Sequence, residues 1–156
     1  MTNLSEHFTL EEAVTTSHRE INNSVTLPTL ITTLSRCAVK LEKVRALIGL
    51  PLHINSWYRC LALNRAIGSK DTSDHLKGQA VDFICPQFGT PLEICKKLIL
   101  NKEVIGFKQL ILEHTWVHIS WDLEIPGTIP KCQVLSLTTG GNYAEGLTDI
   151  NGVSLA

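Results

Sequence analysis

Ser73-Asp74-His75-Leu76-Lys77-Gly78-Gln79-Ala80-Val81-Asp82 is the stretch around which the rest of the chain is read. A polar loop presents His75, Gly78 allows a close backbone turn, and Ala80-Val81-Asp82-Phe83-Ile84 then alternates as a half-buried strand. Asp82 is thereby placed among apolar neighbours. A carboxylate there needs a cation or several hydrogen-bond donors, because burying it unpaired is costly or forces its protonation. A later short alternating run, Trp116-Val117-His118, supplies a second imidazole. Two histidines and one carboxylate, with a further position left to water, form the ligand set of a catalytic zinc site and not of a closed structural one. His75, Asp82 and His118 are the candidate ligands.

The spacing Ser-x-His-x-x-Gly-x-Ala-x-Asp followed by Trp-x-His resembles the zinc D-alanyl-D-alanine carboxypeptidases and dipeptidases. It is most similar to their single-domain phage-type endolysin branch, which cuts peptidoglycan stem peptides. Further segments resemble that branch in the same order: Phe8-Thr9-Leu10-Glu11-Glu12, Pro51 to Arg59, Leu63 to Gly68, and Leu110-Ile111-Leu112-Glu113. The resemblance covers residues 8 to 135 and implies a peptidase domain over 1–135, with 136–156 as a loosely packed extension.

A chain of 156 residues with 44% hydrophobic content is expected to form one domain with a substantial core. A formal net charge of -1, without basic runs interleaved with aromatics, argues against nucleic acid as a partner. The first residues lack the basic start and apolar run of a signal peptide, and no apolar stretch is long enough to span a bilayer. The expectation is a product of the host cytoplasm that does not insert into membranes and works as a monomer. Action on the cell wall in the periplasm then requires export, which the resemblance assigns to a phage holin. The five cysteines are odd in number and lack C-x-x-C spacing, so they are read as reduced packing residues.

Thr9 to Glu12 reads as a capping box opening a short helix, and a long helix is expected from Pro28 to Ile48, closed by Gly49. Leu52 to Ser56 alternates as a strand that delivers Trp57, Tyr58 and Arg59 to its end. A short helix over 60–67 leads into the metal motif, and Thr90-Pro91 opens another helix running to about Asn101. Phe107 to Glu113 and Trp116 to Trp121 pair as strands, and Lys131 to Leu135 reads as an edge strand. The expected fold is α+β, with helices packed on a small, mainly antiparallel sheet carrying one zinc site.

The local sequence leaves Arg59 open between an ion-pairing surface residue and a functional one. The resemblance implies that it holds the scissile carbonyl oxygen, a task suited to a fixed guanidinium and one in which its loss would leave the metal in place. Ser73 is either a turn cap or a hydrogen-bonding residue for substrate, Tyr58 is a candidate on the substrate side, and Trp116 is a groove wall or a core aromatic. The general base is less direct. Many relatives carry a glutamate three residues before the last histidine ligand, and here Thr115 occupies that position. The branch resembled carries it at the end of the preceding strand, which implies Glu113, with His114 as the competing base.

The activity implied is hydrolysis of peptidoglycan stem peptides by a zinc peptidase, as an endolysin-like endopeptidase or a D,D-carboxypeptidase. Two other readings share the scaffold: a zinc-containing binding module similar to the hedgehog signalling domain, and a virion-associated protein that trims cell wall.

Overall fold

A computed structural model describes all 156 residues. Helix α1 (Leu10–Val14) opens on the expected capping box: the Thr9 hydroxyl accepts from the Glu12 N–H, while the Glu12 carboxylate accepts from the Thr9 N–H. Helix α2 (Pro28–Ile48) buries Leu34, Cys37, Ala38, Leu41, Val44 and Ile48, a three-and-four spacing that makes one continuous apolar stripe. Gly49 ends it in the left-handed region at φ 74°, its N–H returning to the Arg45 carbonyl.

Strand β1 (His53–Ser56) leads to α3 (Leu61–Ala66), for which Cys60 serves as N-cap. A single 3-10 turn (Asp74–Lys77) then feeds β2 (Ala80–Ile84). Helix α4 (Pro91–Leu100) has Thr90 as cap and Pro91 in its first turn, and the short α5 (Lys102–Ile105) follows. The sheet is completed by β3 (Gln109–Leu112), β4 (Val117–Ser120), β5 (Gln133–Thr138) and β6 (Asn142–Glu145). No helix is long and apolar enough to cross a membrane.

Strand order is β1-β2-β4-β3-β5-β6, antiparallel throughout except for the parallel pair β3 and β5. The α+β expectation therefore holds. Alternation gives the sheet two distinct faces. Val81 and Phe83, Leu110 and Leu112, and Val117 and Ile119 point into the core shared with α2 and α4. The opposite face carries one register row running through all six strands: Ser56, Asp82, His118, Ile111, Leu135 and Glu145. Two of the three candidate ligands are neighbours in that row.

Two expectations need correction at the C-terminal end. Lys131 to Leu135 does not form an edge: the strand runs Gln133–Thr138 and is paired on both sides, by β3 and β6. Residues 136–156 are not a loose extension either. Ser136 is fully buried, its Oγ donating to the Gly146 carbonyl and accepting from the Thr148 N–H, and Leu147 joins the main core. Side chains of Cys37, Cys85 and Cys95 lie in the same core, and all five cysteines are free thiols.

Candidate metal centre

The loop that presents His75 is held at several points. Ser73 caps its 3-10 turn, with the hydroxyl accepting from the His75 N–H at 3.3 Å. Lys108 reaches from the start of β3 and donates to both oxygens of Asp74 at 3.0 and 2.8 Å. Gly78 closes the turn at φ 69°, and a Cβ there would come within 2.7 Å of Leu34 Cδ2. The positive φ favours glycine, and an added Cβ would also displace the buried Leu34 side chain. Its carbonyl accepts from the Trp57 indole N–H at 3.2 Å, which ties the turn to the end of β1.

His75 Nδ1 lies 2.6 Å from the Trp57 carbonyl oxygen. A carbonyl only accepts, so Nδ1 carries the proton. Burial lowers the His75 pKa and disfavours a second proton on the ring. Nε2 is therefore a bare lone pair, fully buried and without a hydrogen-bond partner, 3.3 Å from Asp82 Oδ1. Two acceptors face one another with nothing between them to share. His118 Nδ1 lies 2.8 Å from the same Asp82 oxygen. The three ligand atoms fall within 4.8 Å of one another. This orphaned nitrogen is the observation that a cation would resolve, and the imidazole, carboxylate and imidazole donors suit zinc. Burial alone would raise the Asp82 pKa, yet it is held below the usual carboxylate range, a direction to which the hydrogen bond from His118 to Oδ1 contributes.

Arg59 is buried beside the ligands and not on the surface. It donates from Nη2 to Asp82 Oδ2 at 3.0 Å, from Nε to Ser56 Oγ at 3.0 Å and, more weakly, from Nη1 to Asn64 Oδ1 at 3.4 Å. Oδ2 of Asp82 is thus occupied by a guanidinium, and Oδ1 is left to the histidines. The expectation that Arg59 serves only the substrate is too narrow, because the same side chain aims a ligand.

These residues border a cleft of about 610 Å³. Ser73, Trp116 and Glu113 line it, as do the three candidate ligands and Arg59. Tyr58 does not. Its ring packs against the core, while its N–H donates to the Ala13 carbonyl and its carbonyl accepts from Asn23. Tyr58 stands between two buried neighbours, Trp57 in the core and Arg59 at the cleft.

Glu113 reaches the cleft by simple strand alternation. Register pairs Ile111 with His118, so Gln109, Ile111 and Glu113 share the face of the ligands, and no folding back of the connection is needed. Thr115, three residues before His118, sits in the turn with His114. Burial raises the Glu113 pKa, with the nearby Asp82 charge adding and His118 opposing. His114 adopts φ 64°, and its Nε2 donates to the Leu137 carbonyl at 2.8 Å, so that nitrogen is already committed.

Sequence reasoning missed Tyr143, which comes from β6, lines the cleft and donates to Glu113 Oε1 at 3.3 Å. It fell in a stretch read as loose, although Gly140-Gly141 between two short alternating runs is a hairpin signal. Asn64 and Lys108 carried no such signal, because their roles depend on contacts made only in the fold.

Comparison with curated proteins finds no match for the chain. The family model described as Peptidase M15 matches residues 6–120, a span that runs from before the α1 capping box to the end of β4 and takes in His75, Asp82 and His118. The chain belongs to the peptidase M15 family, whose members are zinc-dependent peptidases.

Proposed function

We propose that the protein hydrolyses the stem peptides of peptidoglycan, as an endolysin-like endopeptidase or a D,D-carboxypeptidase, with His75, Asp82 and His118 as its zinc ligands. The observation that carries this reading is the placement of Glu113 on the ligand face of the sheet, in the same cleft and with a raised pKa. A binding module would have no need of such a carboxylate.

His75, Asp82 and His118 would hold a zinc ion, which when bound would supply Lewis acidity toward an amide carbonyl and acidify a water. Glu113 takes the proton of the attacking water and later delivers it to the leaving amine, a role that its raised pKa suits. Arg59 keeps Asp82 oriented, and guanidinium N–H groups not spent on Asp82, Ser56 or Asn64 face the task of holding the carbonyl oxygen. Trp116 forms part of the cleft wall, and Ser73, while capping the turn, offers its hydroxyl to the substrate backbone.

The substrate follows from the phage-type resemblance of the motifs. The same reading makes the protein a monomer of bacteriophage origin that acts at the cell wall after holin-dependent release. Digestion of purified peptidoglycan, followed by mass analysis of the muropeptides, tests activity and bond together. Loss of a terminal alanine marks a carboxypeptidase, and scission within the stem or cross-bridge marks an endopeptidase.

A further inference from the structure

The family match stops at residue 120, yet the cleft does not. Its far wall is built by the β5–β6 hairpin, from which Leu135, Leu137 and Tyr143 face inward. This hairpin also grips the β3–β4 connection at two consecutive residues. Tyr143 on β6 donates its hydroxyl to Glu113 Oε1 at 3.3 Å. Leu137 on β5, paired directly with Tyr143, accepts from His114 Nε2 at 2.8 Å.

The second contact bears on the first. His114 sits in the left-handed region at φ 64°, which a residue with a Cβ adopts only when its surroundings impose it. That backbone setting directs the turn immediately after Glu113. One tether therefore fixes the turn and the other fixes the carboxylate, and both originate in a hairpin anchored by the buried Ser136 and by Leu147. Burial beside Glu113 pushes the Tyr143 phenol up to about 12, so it stays a hydrogen-bond donor throughout the neutral range.

We propose that Tyr143 is a positioning residue for the reaction: from the C-terminal hairpin it holds Glu113 in the rotamer that faces the metal site. This rests on the reading of Glu113 as general base. The carboxylate keeps Oε2 for the water while Oε1 is restrained by the phenol. Without that bond, Glu113 samples rotamers directed along the open cleft, and the fraction of enzyme ready for proton transfer falls.

The test compares zinc-loaded wild type with Tyr143→Phe, Tyr143→Ala, Glu113→Gln and the double variant Tyr143→Phe/Glu113→Gln. The probe is a synthetic stem pentapeptide ending in D-Ala-D-Ala, or purified peptidoglycan if the pentapeptide is not cut, with zinc content and thermal midpoint measured on each protein. Tyr143→Phe is expected to lower kcat by about tenfold, with KM changed by less than about twofold and zinc content unchanged. In the Glu113→Gln background the same change is expected to add nothing, because the group it positions is no longer a base. Tyr143→Ala, which also removes cleft wall, is expected to raise KM as well. Wild-type kcat in Tyr143→Phe, a change confined to KM, or a full additional loss in the double variant overturns the proposal. Near-wild-type turnover by Glu113→Gln overturns the base assignment and the positioning role together, whereas an inactive Glu113→Gln beside an unaffected Tyr143→Phe overturns the positioning role alone.

Discussion

Arg59 and Asp82 form a buried ion pair, Nη2 to Oδ2 at 3.0 Å, that leaves only the second carboxylate oxygen facing His75 and His118. The pair couples a group expected to act on substrate to the metal site itself. Arg59→Ala is therefore expected to weaken zinc binding by about tenfold to a hundredfold, as losses of groups that orient a ligand do, and to lower turnover further. It also leaves a buried carboxylate without its partner, at a cost of roughly 3–5 kcal/mol in metal-free protein. Arg59→Lys restores charge but not the fork that reaches Asp82, Ser56 and Asn64, so rescue is partial. Zinc titration with a competing chelator checks this: affinity unchanged in Arg59→Ala would return Arg59 to a role on substrate alone.

Removal of the metal by chelation is expected to abolish activity, and added zinc to restore it. His75→Ala, Asp82→Ala and His118→Ala are each expected to lower zinc content, as elemental analysis would read, because each deletes one of three convergent donors. Full occupancy in His118→Ala would contradict the ligand set.

Glu113→Gln keeps size and hydrogen bonding but not basicity, and is expected to retain zinc while losing turnover by about a hundredfold or more. His114→Ala is expected to lose much less, since His114 Nε2 is engaged with the Leu137 carbonyl and its contribution is to the turn. The opposite ranking, measured as kcat for the two variants, would make His114 the base.

The pH dependence has a defined sign. Burial raises the Glu113 pKa, and a base must be deprotonated to accept a proton, so activity falls as pH drops through that raised value. The acid limb of the kcat profile is expected to be displaced upward from the ordinary glutamate value and to disappear from the residual activity of Glu113→Gln. A limb left in place by that substitution would belong to another group.

Most of the convergence of the candidate ligands was legible because Asp82 and His118 lie on short strands, where alternation states which way each side chain points. Asp82 in an apolar run had to meet a cation or several hydrogen-bond donors, and it meets three side chains. The placement of Glu113 was also legible, more simply than expected: an antiparallel pair that matches Ile111 with His118 puts Glu113 on the ligand face without any distortion. The role of Arg59 toward Asp82 was not, since twenty-three residues separate them and only the β1–β2 pairing brings them together. The C-terminal hairpin was misread for a different reason. Its residues are individually weak in pattern, and their burial depends on the polar anchor at Ser136 and on the parallel pairing of β5 with β3, neither of which is a local property.

That hairpin supplies a stability prediction. Ending the chain at Leu135 removes β6, the Ser136 anchor and Leu147, and is expected to cost at least about 2 kcal/mol from the lost apolar burial alone. Thermal denaturation followed by circular dichroism reads this directly, and an unchanged midpoint would make 136–156 dispensable to the fold.

The most direct test of the central claim is mass spectrometry of muropeptides from purified peptidoglycan incubated with the zinc-loaded protein, with Glu113→Gln at equal zinc content as control. New stem-peptide fragments or loss of terminal alanine are expected with the wild type and neither with the variant. An unchanged muropeptide profile with fully zinc-loaded wild type, or the same products from Glu113→Gln at a similar rate, would contradict it.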